Sequence, residues 1–190
     1  MAESHDRRVR RTRDLLHRAL IELMIERGYE RVTVTDVIDR ADVGRSTFYA
    51  HYRDKDDLLV VSCTEFLRRE IERVRDTPGS PLAPLRVMFQ LAAGYPDVYQ
   101  PLIGPKSSAT VLRAYQQSVS SILTEQLEGQ LEMDDDEFTD TVAFLSWGVI
   151  GLLGSVIDAR TPTPPSTAWR RFETLCMSGL GSRLGRNGQG

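Results

Sequence analysis

The chain has 190 residues, of which 41% are hydrophobic and 27% are charged, and its formal net charge is -3. A hydrophobic fraction of this size supports a real core, and the charged fraction is typical of soluble proteins. The two cysteines, Cys63 and Cys176, are far apart in the sequence, which argues against a disulfide framework and against a thiolate metal site. The charged N-terminus leads into no apolar segment, so we expect no secretory signal.

An amphipathic helix is the first predicted element. Residues 12–27 place apolar side chains at steps of three and four, and Gly28 follows where a helix end favours glycine.

A helix, a tight turn and a second helix are predicted for residues 33–52. Thr33 and Asp36 have the spacing of a capping box, which marks the start of a helix. Asp42 tolerates the left-handed conformation better than most residues, as a tight turn after this helix requires. Gly44 is an acceptable N-cap for the next helix.

The rest of the chain also has a helical pattern. A longer helix is predicted for residues 54–75, and the TPGSPLAP segment at 77–84 is the clearest break in the chain. Beyond it, the pattern predicts helices at 84–94, 106–130, 137–159 and about 167–185, with short helical pieces between 94 and 105. No segment alternates with a period of two, so we predict an all-α fold of about nine helices.

The longest apolar run, residues 142–157, is shorter than the roughly 20 residues that span a bilayer. Asp140 and Asp158 bracket it. We therefore predict a fully buried helix, no membrane partner and a cytoplasmic protein.

The segment TVTDVIDRADVGRSTFYAHYRDKDDLL resembles the DNA-binding signature of the TetR family of transcriptional regulators. The positions in register are Thr33, Val34, Val37, Ala41, Val43, Tyr49, His51, Tyr52, Lys55 and Leu58. Ile38, Asp42 and Gly44 depart from the family pattern but leave the motif in place. The resemblance, which covers about 50 residues, implies a helix-turn-helix DNA-binding domain at 1–60 and a helical ligand-binding and dimerisation domain at 61–190.

The second helix of the motif has one side suited to DNA. At about 100° per residue, Phe48 and Tyr52 share a stripe that should pack on the first helix, and Ala50 lies nearly opposite. A small residue there lets the helix enter a major groove about 12 Å wide, where Arg45 can reach a guanine edge or a phosphate. Including groove-facing and backbone-facing side chains, the predicted DNA-binding residues are Thr33, Thr35, Arg45, Ser46, Thr47, Tyr49, Ala50, His51 and Lys55.

Two alternatives stay open at this point. The same segment could be a solvated helix face with Tyr49 packed in the core. Residues 7–13 hold five arginines and no acid, and they are either an arm that binds phosphates or the minor groove, or a solubilising tail.

In the second domain, aromatic and methionine side chains could line a ligand pocket or could simply form the core. The pocket candidates are Met88, Phe89, Tyr95, Tyr99, Tyr115, Phe144 and Trp147. Three glycines at steps of three in one helix suggest close approach by another helix, either from a partner or from within the subunit. The predicted dimer interface comprises Gly148, Gly151, Gly154, Trp169, Phe172 and Cys176.

No catalytic set, metal-ligand spacing or cofactor motif is found, so we expect neither enzyme activity nor a cofactor. The acidic run at 134–137 is interpreted as a helix cap. The predicted protein is a homodimeric repressor that binds a palindromic DNA operator and is released by a small, largely apolar ligand. The alternatives are a DNA-bound scaffold that recruits a protein, and a helical enzyme whose front merely resembles the motif.

Overall fold

The structure, a computed structural model, describes residues 2–74 and 80–180. Within these ranges the chain forms nine α-helices and no strand, so the predicted all-α class is confirmed. The helices are α1 (Ala2–Arg27), α2 (Val34–Ala41), α3 (Arg45–Tyr49), α4 (Lys55–Val74), α5 (Arg86–Gly94), α6 (Pro96–Ile103), α7 (Ala109–Leu127), α8 (Asp135–Val156) and α9 (Pro165–Leu180). Two short 3₁₀ helices, Tyr29–Arg31 and Ala83–Leu85, precede α2 and α5.

The chain divides into two compact units, with the boundary inside α4. Unit 1 comprises Met1–Cys63, and unit 2 comprises Thr64–Gly190.

Unit 1 is built on the apolar stripe of α1. Leu16 and Leu20, one turn apart, are completely buried, as are Val37 of α2 and Phe48 of α3. Burying each such side chain contributes about 1.5–3 kcal/mol. This core fixes the two short helices on α1, and so fixes which side of α3 remains at the surface.

Unit 2 is a helical bundle in which α5 packs on α8 and α9, and α7 packs on α6 and α8. Its core contains an aromatic cluster in which the Phe89 ring centroid lies 5.8 Å from that of Trp169 and 6.0 Å from that of Phe172. A second pair, Tyr99 and Tyr115, meets edge to face at 6.3 Å.

Helix α1 begins ten residues earlier than predicted, which corrects the interpretation of residues 7–13 as an arm or tail. These residues are helical, and Val9 and Thr12 are half-buried on the side that continues the core stripe. Arginine is a good helix former, so the extension has a local reason to fold. In contrast, α3 is shorter than predicted and ends at Tyr49.

The other predicted bounds agree with the structure to within a few residues. The predicted end of the last helix, near residue 185, lies outside the described residues, as does 75–79 at the predicted break.

The prediction that α8 is fully buried is wrong. The side chain of Phe144 is 75% exposed and that of Trp147 is 47% exposed. By length and composition, α8 is the one described helix that could cross a membrane, a test that core helices of water-soluble proteins also pass. It packs on α7 and α9 in unit 2 and begins with acidic residues.

Candidate DNA-binding site

A reciprocal cap starts α2. The backbone N–H of Asp36 donates to Thr33 Oγ1 over 3.2 Å, and the N–H of Thr33 donates to Asp36 Oδ2 over 2.8 Å, so the predicted capping box is confirmed. The Thr33 hydroxyl also donates to Asp36 Oδ2, at 2.6 Å. Thr33 was predicted as a DNA contact. A phosphate only accepts hydrogen bonds, and the hydroxyl of Thr33 already donates its proton to Asp36, so in this structure the side chain serves as a helix cap.

The turn between α2 and α3 has the predicted form. Asp42 adopts the left-handed conformation, with φ 52° and ψ 50°, and Val43 N–H donates to Ile38 O over 3.0 Å. Gly44 is extended and precedes α3 as its N-cap. The tight turn therefore sets the direction in which α3 leaves α2.

The two sides of α3 differ in burial as predicted. Phe48 is completely buried and Tyr52 is 3% exposed, with their ring centroids 5.9 Å apart. Tyr49 is 50% exposed, and its ring packs edge to face with the ring of Phe48. The alternative that packs Tyr49 in the core is therefore wrong. Of the predicted contacts in this region, Arg45, Ser46 and Ala50 are exposed, whereas Thr47 and His51 are half-buried.

A hydrogen bond between the two short helices orients the arginine at the start of α3. Arg45 Nη2 donates to Thr35 Oγ1 over 3.1 Å, and both residues are exposed. A guanidinium has five N–H donors, so most remain for another acceptor.

Lys55 is held against the end of α1. Its Nζ donates to the backbone oxygen of Tyr29 over 3.1 Å and lies 4.1 Å from the centroid of the Tyr29 ring. The Tyr29 hydroxyl donates to Asp56, and burial together with this carboxylate raises the pKa of Tyr29. Two of the three ammonium donors of Lys55 remain for a phosphate. The roles of Tyr29 and Asp56 were not predicted from the sequence.

Ion pairs connect α2 to α1, and they were not predicted from the sequence. Arg40 binds Glu26 through two parallel hydrogen bonds of 2.8 Å, and it also contacts Glu22 at 3.3 Å. Arg27 pairs with Asp36 at 2.9 Å. The two parallel hydrogen bonds between Arg40 and Glu26 are the geometry in which a surface ion pair contributes most to stability.

Asp36 gives the cap a pH dependence. Hydrogen bonds from Thr33, followed by one from Arg27, lower the pKa of Asp36 to about 2. Since an unfolded Asp titrates near roughly 3.9, its stabilising effect is complete above that pH and is lost as the pH falls towards about 2.

We predict that Asp36→Asn lowers the free energy of unfolding at pH 5 and that this deficit shrinks at pH 4 and again at pH 3. Urea denaturation at the three pH values measures it. A deficit independent of pH would contradict the assignment of the effect to the carboxylate.

Residues 16–61 match the family model for bacterial regulatory proteins of the tetR family. This stretch, which includes the helix-turn-helix, is similar to the DNA-binding part of that family. It is 37% identical over 67 residues to an uncharacterized HTH-type transcriptional regulator, YxbF, of Bacillus subtilis, a match that covers 33% of this chain and 18% of that protein. It is 30% identical over 90 residues to the HTH-type transcriptional regulator TcmR of Streptomyces glaucescens, covering 46% of this chain and 40% of TcmR. The matched part is thus less than half of either relative.

The TetR fold extends beyond this first domain. The crystal structure of Thermus thermophilus FadR, a TetR-family repressor in complex with lauroyl-CoA, matches 94% of this chain and 100% of its own, with a TM-score of 0.64 and 22% identity. At this identity, the likeness shows the fold alone.

In unit 2, the predicted pocket residues do not form one lining. Met88, Phe89, Tyr99 and Tyr115 are buried in the core, whereas Tyr95, Phe144 and Trp147 are exposed. The exposed residues cannot line an enclosed pocket as they stand.

The residues of the predicted interface also differ in burial within the single chain. Trp169, Phe172 and Cys176 are 2–7% exposed, because they pack inside unit 2 and not at its surface. Gly148 lies against Phe172, with 3.8 Å between an added Cβ and the ring, but Cβ atoms on Gly151 and Gly154 would meet nothing within 4 Å. Close packing within the subunit therefore does not explain the last two glycines.

An open groove of about 540 Å³ lies along α8 and α9. Phe144, Leu145 and Leu175 form its apolar wall, and Asp136 and Asp140 lie at its acidic end. Elsewhere in unit 2, the half-buried Gln116 donates from Nε2 to Oγ of the buried Ser146 over 2.8 Å, which gives that hydroxyl a partner. Burial raises the pKa of Cys63 to about 12 and that of Cys176 to about 11, so both thiols are inert in the fold.

Proposed function

We propose that the chain is a transcriptional repressor that binds a palindromic DNA operator as a homodimer. The observation that carries the proposal is that α3 has one buried side and one exposed side. Phe48 is on the buried side, as is Tyr52 just after the helix, and the exposed side starts at Arg45. A helix anchored in this way can enter a major groove without unfolding any core contact.

The exposed side of α3 offers both kinds of contact that DNA recognition needs. Arg45, oriented by Thr35, has donors free for the O6 and N7 acceptors of guanine. The hydroxyls of Ser46 and Tyr49 suit phosphate oxygens, and the small side chain of Ala50 permits close approach to the groove floor. Lys55 adds a fixed cation close to the start of α4.

A second copy of the chain would supply the second recognition helix. On α8, Phe144, Trp147 and Gly151 lie on one face at steps of three and four, and Leu175 of α9 adjoins Phe144 in the groove. Leu175 is 70% exposed, and large apolar side chains grouped in this way mark interaction surfaces. A two-fold contact through this face, the α8–α9 face, would pair two copies of α3 on two half-sites.

We further propose that a small, largely apolar effector binds within unit 2 and releases the DNA. The buried Tyr99–Tyr115 pair and the Gln116–Ser146 hydrogen bond provide apolar and polar groups that such a ligand could engage. The FadR relative in complex with lauroyl-CoA supports this proposal. The ligand would act by favouring a conformation that binds the operator less well. The proposed site of action of the protein is the cytoplasm.

Sequence selection tests the proposed function. Purified protein at moderate salt should enrich one inverted repeat from a pool of random duplexes, and it should bind the repeat as two chains per duplex. Enrichment of no sequence over the starting pool would contradict the proposal.

Thr35 is expected to act on DNA through Arg45. We predict that Thr35→Val, which removes the acceptor and keeps the shape, weakens discrimination at the base pairs that Arg45 reads by about 1 kcal/mol, the net value of one such hydrogen bond. Thr35→Ser, which keeps the hydroxyl, is the matched control and should retain the discrimination. Competition binding on single-base operator variants measures both, and equal behaviour of the two variants would show that Arg45 does not need Thr35.

A further inference from the structure

Tyr29 opens the short 3₁₀ helix that follows α1, directly after Gly28. Gly28 has φ 78° and ψ 146°, a conformation that residues with a side chain rarely adopt. Because glycine permits this turn, the chain changes direction at once after α1, and Tyr29 meets the first turn of α4. The local backbone therefore fixes where the half-buried Tyr29 side chain lies.

Three contacts connect Tyr29 to consecutive residues of α4. The Tyr29 hydroxyl donates to Asp56, and the ring centroid lies 4.1 Å from Nζ of Lys55. The backbone oxygen of Tyr29 accepts from the same Nζ over 3.1 Å. A cation within about 6 Å of a ring centroid is attracted by the face of the ring. The ring and the carbonyl oxygen together hold the ammonium, and Asp56 holds the ring.

The carboxylates that follow Lys55 in α4 have other partners. Asp56 accepts from the Tyr29 hydroxyl, and Asp57 pairs with Arg53 at 3.1 Å. Among the side chains that the structure describes, no carboxylate forms an ion pair with Lys55. The two N–H donors of Lys55 that Tyr29 does not use are therefore available to an anion.

We propose that Tyr29 is a positioning residue for DNA binding, which holds the ammonium of Lys55 in place for a backbone phosphate. The inference rests on the proposed function of the chain and assigns a part in it to a side chain that itself contacts no DNA. A lysine that binds a phosphate loses rotamer freedom, and this loss is among the largest of any side chain. Since Tyr29 already restricts Lys55 in the free protein, less freedom is lost on binding.

Tyr29 carries no charge, which separates the proposed role from a direct contact with phosphate. Burial, followed by the hydrogen bond to Asp56, raises the pKa of Tyr29, so the hydroxyl keeps its proton at neutral pH. Replacing Tyr29 with an apolar residue leaves the net charge of the protein unchanged. A change in the salt dependence of DNA binding must then come from the way in which a charged neighbour binds phosphate.

The test is a double-mutant cycle between Tyr29 and Lys55 in the full-length protein. Tyr29→Leu removes the ring, Tyr29→Phe removes only the hydroxyl, and Lys55→Gln removes the ammonium. Tyr95→Leu removes a half-exposed tyrosine of unit 2 and is the matched control. Each variant, with the double variant Tyr29→Leu/Lys55→Gln, is titrated with a duplex of random sequence over a series of KCl concentrations. Urea denaturation confirms that each variant is folded.

Tyr29→Leu should weaken binding by about tenfold at low salt, the order of the rotamer freedom that Lys55 regains. The slope of log K against log salt should become shallower by up to about 0.9 per chain. Tyr29→Phe and Tyr95→Leu should bind like the wild type. In the Lys55→Gln background, Tyr29→Leu should cause no further loss, because the group that it positions is absent.

Each of the other results overturns the inference. An equal loss in both backgrounds would show that Tyr29 acts on the fold and not through Lys55. Unchanged binding by Tyr29→Leu would show that Lys55 needs no positioning, and unchanged binding by Lys55→Gln would show that Lys55 binds no phosphate. An equal loss in Tyr29→Phe would assign the effect to the hydroxyl instead of the ring. A wild type that selects no DNA sequence contradicts the proposed function alone, because the titrations with random duplex still decide the inference.

Discussion

The double substitution Phe144→Glu/Trp147→Glu is expected to convert the protein into monomers and to weaken operator binding by about 10²- to 10⁴-fold. Two linked recognition helices gain affinity of this order over one, because binding of the second half-site is intramolecular. Both side chains are exposed on α8, so the substitution should leave the fold of a single chain intact. Charges at the centre of an apolar interface would each have to be buried without a partner.

Sedimentation velocity and operator titration measure the two effects. Ile25→Glu is the matched control, because Ile25 is an exposed apolar residue of unit 1 with 66% of its surface accessible. It should leave the protein dimeric. A double variant that stays dimeric would show that the α8–α9 face does not form the interface.

Phe48→Ala is expected to destabilise unit 1 by about 3–5 kcal/mol, the usual cost of emptying a buried aromatic site. Phe48 is completely buried and contacts the rings of both Tyr49 and Tyr52, so its removal takes away the anchor of α3. Since a domain is stable by about 5–15 kcal/mol in total, the substitution removes a large part of the free energy that keeps the recognition helix folded. Urea denaturation followed by circular dichroism measures the change.

Tyr49→Ala, one residue further along α3, is the control for this result. Because Tyr49 is half exposed, we expect a stability loss of about 1 kcal/mol or less together with weaker binding to all DNA sequences. Equal destabilisation by the two substitutions would contradict the assignment of Phe48 to the core and of Tyr49 to the surface.

The sequence predicted the helix-turn-helix well because its chemistry is local. The Thr33–Asp36 cap and the left-handed Asp42 depend on residues at most three positions apart, and each allows few alternatives. The burial of Phe48 followed from helical spacing on a short amphipathic helix. Strong local signals of this kind survive without knowledge of the tertiary structure.

Features that depend on partners distant in sequence could not be predicted in this way. The Arg40–Glu26 pair joins residues of two helices, and neither residue carries a signal of its own. In α8, apolar side chains occur on every side, so periodicity could not tell that Phe144 is exposed and Leu145 is buried. For the same reason, the sequence could not show that Trp147 of α8 is exposed and that Trp169 of α9 is buried.

The position of Lys55 illustrates the intermediate case. Its place at the start of a helix indicated a phosphate contact, but the structure also gives it a hydrogen bond and a ring contact with Tyr29. The position of a cation at a helix start can be predicted from the sequence, whereas the groups that hold the cation in place can be identified only from the folded structure.

Sequence selection with the Arg45→Ala variant, beside the wild type, tests most directly the claim that α3 reads DNA bases. We predict that the variant selects the same inverted repeat but loses its preference at one or two base pairs in each half-site, at a cost of about 1–3 kcal/mol per base pair. A selected sequence identical to that of the wild type, with affinity lowered equally for every duplex, would contradict the claim and make Arg45 a phosphate contact.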